Sequence, residues 1–282
     1  MRPVIFIFFV LFFQLSGSFG QNHQIVQPGG QTVFALGMVD KISSVELGET
    51  RILNIYLPDG YSPDSSVTYP VIYLLDGSDN EDFIHVVGIV QFLNMIEVMP
   101  KSIVVGIANV DRRRDFTFPT SVEKDKKAYP TTGSSARFIS FIEKELQPYI
   151  QNKYKTNHIK TIIGQSLGGL LATEILLKKP FLFDNYIIVS PSLWWNNESL
   201  LTAAPGLLNK SSVRDKRIII TVGAEGKEME GDAKKLSEIL RLSGTTSLKF
   251  QFLPEENHLT ILHNSVYKSF EFLYPKKSDH LK

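Results

Sequence analysis

Five short apolar runs, each bounded by a turn signal, constrain this chain most. They are "YPVIYLLDG" (69–77), "SIVVGIAN" (102–109), "IKTIIG" (159–164), "YIIVSP" (186–191) and "RIIITVG" (217–223). Runs so continuously apolar suit strands covered on both faces. Segments of helical period separate them: 81–97, "SARFISFIEKELQPYI" (135–150), "LGGLLATEILLKK" (167–179, stopped by Pro180) and "DAKKLSEILRLSG" (232–244, closed by Gly244). A last strand "SLKFQFLP" (247–254) and a last helix "LTILHNSVYKSFEFLY" (259–274) follow. Strands alternating with helices predict an α/β fold, a three-layer αβα sandwich around a mostly parallel sheet. Upstream, "TVFALGMV" (32–39) and "RILNIYLP" (51–58) read as an antiparallel pair around "SSVELGET". No repeat or low-complexity stretch intervenes. The reading is one domain over 21–275, with 276–282 as a frayed tail.

The first twenty residues differ. Met1-Arg2 is a short positive start, "PVIFIFFVLFF" is apolar, and Ser18 and Gly20 offer a small-residue cleavage site before Gln21. The apolar run is short for a bilayer span, so residues 1–20 read as a secretory signal peptide, an uncleaved anchor being the alternative. The chain has no cysteine, which excludes disulfides, thiolate metal sites and a cysteine nucleophile. Export without disulfides suits a bacterial periplasmic or secreted protein. With Arg2 removed, 29 basic residues face 29 acidic ones. That balance argues against nucleic acid as a partner.

"GQSLG" (164–168) fits the G-x-S-x-G pattern, with a strand before it and a helix after it. In such an elbow the serine sits on a sharp turn, flanking glycines relieve clashes, and helix N–H groups face developing charge. Ser166 is therefore the candidate nucleophile; an ordinary strand-to-helix turn is the alternative. The base is expected after the last strand, where His258 starts the last helix, with His263 one turn on. The acid is expected after "RIIITVG", which offers Glu225, Glu228, Glu230 and Asp232. Glu225 comes first and lies in a loop; the others suit a helix start without any catalytic part. A Ser-His dyad stays open. Oxyanion donors are expected from the N–H groups of Leu167 and Ser78, with Gly77 permitting the turn.

Trp194 and Trp195, in "SPSLWW", read as an aromatic wall for an aryl or sugar-bearing ester, or as loop packing. Arg112 and Arg114, in "DRRRD", read as an anion site, or as a solvated run balanced by Asp111 and Asp115.

Taken together, "YPVIYLLDG", "GIANVDRRRDFT", "RFISFIEKELQPYI", "GQSLGGLLATEILLKKP", "SPSLWW", "VGAEG" and "ENH" resemble the putative-esterase (esterase-D-like) family of α/β-hydrolases, in its order, over most of 69–260. The similarity is strongest to the branch with siderophore trilactone esterases; mycolyltransferases and feruloyl or acetylxylan esterases are more distant. The resemblance implies Ser166 as nucleophile, His258 as base, and Ser78 and Leu167 as the oxyanion hole. Gln165 departs from the histidine often found there, which implies altered packing rather than lost activity. Some siderophore esterases work with a weakened acid, which leaves the part of Glu225 open. The expectation is a serine carboxyl-ester hydrolase acting on a small-molecule ester, without metal or organic cofactor. Acyl transfer to an alcohol and a non-catalytic binding protein on the same scaffold are the rivals.

Overall fold

The computed structural model describes residues 34–208 and 213–275. The leader reading at 1–20 and the tail reading at 276–282 lie outside the described residues. Every element below belongs to the unit Leu36–Lys282.

The strands are β1 (Met38–Ser44), β2 (Glu49–Tyr56), β3 (Tyr69–Leu74), β4 (Ile103–Ile107), β5 (Thr156–Gln165), β6 (Asn185–Val189), β7 (Arg217–Gly223) and β8 (Ser247–Leu253). They form one eight-stranded sheet in the order β1-β2-β4-β3-β5-β6-β7-β8. β1 pairs antiparallel with β2, and β2 antiparallel with β4; all other pairs are parallel. The helices are α1 (Phe83–Met95), α2 (Arg112–Phe116), α3 (Glu123–Ala128), α4 (Ser135–Phe141), α5 (Gln147–Lys153), α6 (Leu167–Lys178), α7 (Trp195–Leu207), α8 (Lys227–Leu242) and α9 (Ile261–Leu273).

Alternating strand residues feed two separate cores, which makes three layers. Val71 and Tyr73 face α4, α5 and α6, packing with Phe138, Ile150 and Leu171. Ile72 and Leu74 face α1 and α9, packing with Val86, Val90, Val266 and Phe270. Both faces are dry, as the continuous apolar runs require. The chain is thus a mostly parallel αβα sandwich of the α/β-hydrolase kind.

Three boundaries depart from the sequence reading. The first strand lies later than 32–39, because Asp40 belongs to it instead of ending it. Asp40 is buried and accepts hydrogen bonds from Lys153 Nζ (2.6 Å) and the Tyr154 hydroxyl (2.7 Å). The long helix of 135–150 is interrupted by a π turn at Ile142–Leu146, where the Gln147 N–H reaches back to the Ile142 carbonyl. Pro148 follows directly and lacks the N–H that a regular turn would use. α8 begins at Lys227, five residues before the expected start, so Glu228 and Glu230 stand in its first turn.

The "DRRRD" run is largely structural. Arg51, fully buried, donates to Asp115 Oδ2 (2.7 Å), Glu49 Oε1 (2.8 Å) and the Ala108 carbonyl (3.0 Å), and stacks on Phe138 at 5.1 Å. Asp115 is equally buried and also accepts from Arg114 Nε at 2.8 Å. Breaking a buried pair strands a charge, at a cost of about 3–5 kcal/mol. Asp115→Ala should therefore lower the urea midpoint by that equivalent, and an unchanged midpoint would show the network to be dispensable.

Candidate active site

β5 ends at Gln165 and α6 begins at Leu167, so Ser166 alone makes the corner. Its backbone is strained for a non-glycine residue, at φ 58° and ψ −119°. The Ser166 N–H donates to the Val189 carbonyl at 3.0 Å, tying the corner to the end of β6. Close packing sets the glycine requirement. A Cβ on Gly164 would lie 2.4 Å from the Gly168 carbonyl oxygen, and one on Gly169 would lie 2.9 Å from both Pro191 Cα and the Val189 carbonyl oxygen. On Gly168 the nearest atom would be Asp76 Oδ2 at 3.4 Å, an ordinary contact. The geometry thus needs Gly164 on the strand side and, on the helix side, Gly169, one position beyond the motif.

His258 lies in the turn before α9, not in the helix, and its Nδ1 pairs with Glu225 Oε2 at 2.5 Å. Glu225 Oε1 accepts from the Gly223 N–H at 3.1 Å and from the Ser190 hydroxyl. Burial pushes the Glu225 carboxyl up, but His258, Ser190 and Gly223 together hold it below its usual value. The rival acid Glu230 turns the other way and accepts from the N–H groups of Glu225 (3.0 Å) and Gly226 (2.9 Å). It shapes the loop that carries Glu225. His263 stacks on His85 at 5.8 Å.

Ser166 and His258 line one open cavity of about 400 Å³ with Asp76, Glu81, Asp82, Arg112, Gln165 and Leu259. Ser166 Oγ lies 3.2 Å from Ser192 Oγ, and among the described residues it makes no hydrogen bond to His258. A larger cavity of about 880 Å³, bounded by Tyr56, Phe92, Met95 and Lys101, holds no nucleophile and base together.

Three further contacts organise the site. Gln165 Nε2 donates to the His258 carbonyl at 2.5 Å, so the departure at 165 tethers the histidine's loop to β5. Arg112 grips Asp76 through Nε (2.6 Å) and Nη2 (2.8 Å), and Nη2 also reaches the Gln165 carbonyl at 3.3 Å. Burial pushes the Asp76 carboxyl above its usual range, although Arg112 and Asn109 donate to it. Asp76, not Gly77, takes the left-handed turn conformation, at φ 54°. Gly77 is needed because a Cβ there would lie 2.4 Å from Gly106 Cα. The Gly77 N–H is used on the Ile107 carbonyl (3.0 Å), whereas the Ser78 N–H has only a long 3.4 Å approach to Glu81.

The remaining candidates separate. Trp195 is fully buried with its ring N–H on the Phe118 carbonyl (2.9 Å), so it belongs to the core. Trp194 is half-buried beside Tyr129, at 6.3 Å between ring centroids. Arg114 is spent on Glu49 and Asp115 and lines no part of the cavity. Sequence reasoning missed Ser190 and Ser192, which "SPSLWW" contained but which no spacing marked. It also read Asp76 only as a turn signal. Among the described residues, no group of three or more His, Asp or Glu is arranged to hold a metal ion.

The Putative esterase family model matches residues 44–269. The chain is 30% identical over 258 residues to the ferri-bacillibactin esterase of Bacillus subtilis, covering 83% of this chain and 88% of that one. An IroE-like serine hydrolase from Shewanella oneidensis superposes with a TM-score of 0.75 at 31% identity, covering 84% of this chain and 80% of the other. The BES protein of Bacillus cereus gives the same TM-score of 0.75 and 31% identity, over 86% and 98% of the two chains.

The two elbow glycines should separate cleanly. Gly169→Ala forces backbone apart and should cost about 1–3 kcal/mol. Gly168→Ala adds only an ordinary contact and should be neutral or slightly stabilising. Thermal melts of both variants check this, and equal destabilisation would refute the packing account.

Proposed function

We propose that this chain, which belongs to the putative-esterase family and is a carboxylic-ester hydrolase, cleaves siderophore esters through Ser166, His258 and Glu225. The observation that carries the catalytic assignment is the Glu225–His258 bond at the rim of the cavity that Ser166 also lines. Glu225 on Nδ1 leaves Nε2 of His258 free to act as the base. Ser166 Oγ turns from Ser192 toward His258 as substrate enters; such bonds are often long before the complex forms. Oγ attacks the ester carbonyl, its proton passes to Nε2, and the alcohol leaves with that proton. Water then repeats the sequence on the acyl-enzyme. The Leu167 and Ser78 N–H groups receive the oxyanion, the Gly77 N–H being already committed.

The siderophore assignment draws on relatives described as a ferri-bacillibactin esterase and, from Aspergillus fumigatus, a siderophore triacetylfusarinine C esterase. The leader-like residues 1–20 support export to the periplasm or medium, with cleavage near Gly20. No helix among the described residues is long and apolar enough to cross a membrane.

A substrate panel tests this: ferric and iron-free siderophore trilactones, feruloyl and acetylated sugars, and short p-nitrophenyl esters, each with and without glycerol as competing acceptor. The trilactones should give the highest kcat/KM, with free acid as product. Ser166→Ala and His258→Ala should lower kcat on the order of a thousandfold or more, and Glu225→Ala by less. Full activity in Ser166→Ala overturns the nucleophile, preference for feruloyl sugars overturns the substrate, and glyceryl ester as main product overturns hydrolysis.

A further inference from the structure

The loop Ser190–Ser192 touches both ends of the proposed triad. Ser192 is buried; its Oγ lies 3.2 Å from Ser166 Oγ and its N–H donates to the Ser166 carbonyl at 3.0 Å. Two residues earlier, the fully buried Ser190 donates its hydroxyl to Glu225 Oε1. Ser190 also holds a backbone conformation unusual for a non-glycine residue, at φ 41°. Its N–H is fixed on the Thr221 carbonyl of β7 at 2.8 Å. Such conformations persist where the surroundings over-determine them.

We propose that Ser190 is a positioning residue that locks the Glu225 carboxylate in the orientation presenting Oε2 to His258. The proposal rests on the triad reading above. The terminal torsion of a glutamate is soft and roughly two-fold, so a carboxylate held through one oxygen can rotate. Here both oxygens are occupied. Oε1 takes the Ser190 hydroxyl and the Gly223 N–H, and Oε2 takes His258 Nδ1. The Glu225 side chain is only 3% exposed, so water cannot readily replace a lost donor. Removing the hydroxyl leaves the Gly223 N–H as the single contact on Oε1, and the carboxylate is free to turn away from the imidazole. The same donors keep the carboxylate ionised, which a group that must stabilise an imidazolium requires.

The alternative is a buried hydroxyl that merely satisfies the nearest acceptor. Four variants separate the two: Ser190→Ala, Ser190→Gly, Glu225→Ala, and Ser190→Gly combined with Glu225→Ala, all assayed on a short p-nitrophenyl ester with thermal melts alongside. A hydrogen bond to a charged group corresponds to about tenfold to a hundredfold, so Ser190→Ala and Ser190→Gly should both lower kcat by at least about tenfold, with KM nearly unchanged. Glycine suits φ 41° better than alanine, so Ser190→Gly should lose less melting temperature than Ser190→Ala while losing as much rate. In the Glu225→Ala background, Ser190→Gly should cost nothing further. Wild-type kcat in Ser190→Gly, or an undiminished penalty without Glu225, overturns the proposal and leaves the triad standing. Wild-type kcat in Glu225→Ala instead removes the triad's acid, and this proposal with it.

Discussion

The site depends on one close approach, that of α6 to the end of β6. Gly169 lets the helix's first turn lie against the Val189 carbonyl and Pro191. The parallel register that pairs Gln165 with Val189 brings the two strand ends level. From that contact follow the Ser166 N–H bond to Val189 and the Ser192 N–H bond to the Ser166 carbonyl. The corner is thus braced by the neighbouring strand, which is how a serine at φ 58° is kept in place. A side chain at 169 would push α6 outward and carry Ser166 with it.

The parallel strands were legible in the sequence because burial on both faces leaves continuous apolar runs, and the elbow because it needs glycine and serine at fixed spacing. That Glu225, and not Glu228 or Glu230, meets His258 could be read from loop position alone, since a residue just past β7 lies in the loop and the other two stand in a helix's first turn. Less legible was whatever depended on distant partners. Arg51 and Asp115 meet across 64 residues and Gln165 meets His258 across 93. Nothing local in "DRRRD" says that its last aspartate is fully buried, and nothing in "SPSLWW" separates a core tryptophan from a half-buried one. β1 was misplaced for the same reason. Asp40 looks like a loop residue until Lys153 and Tyr154, more than 110 positions on, are beside it.

Gln165 follows the same logic on the other side of Ser166. Its side chain fastens the His258 loop while its carbonyl receives Arg112, whose other bonds hold Asp76. One residue of β5 therefore joins the His258 loop to the loop after β3. A different side chain at 165 would change how those two loops are joined.

The three consecutive arginines illustrate why a charge run is a poor guide to an anion site. Successive helical residues point about 100° apart, so in α2 a run of three must face three ways. Arg112 turns to Asp76 at the cavity, exposed Arg113 lies over Tyr129 at 4.8 Å, and Arg114 turns inward to Glu49 and Asp115. Asp111 caps the helix by accepting the Arg114 N–H at 3.0 Å, which fixes that division from the first turn. An anionic group entering the cavity meets one arginine already shared with Asp76, beside Glu81 and Asp82. Under the proposed function, discrimination among esters at this cavity does not rest on a concentrated positive field. It rests instead on shape and on the directional hydrogen-bonding capacity that Arg112 keeps beyond its bonds to Asp76 and the Gln165 carbonyl.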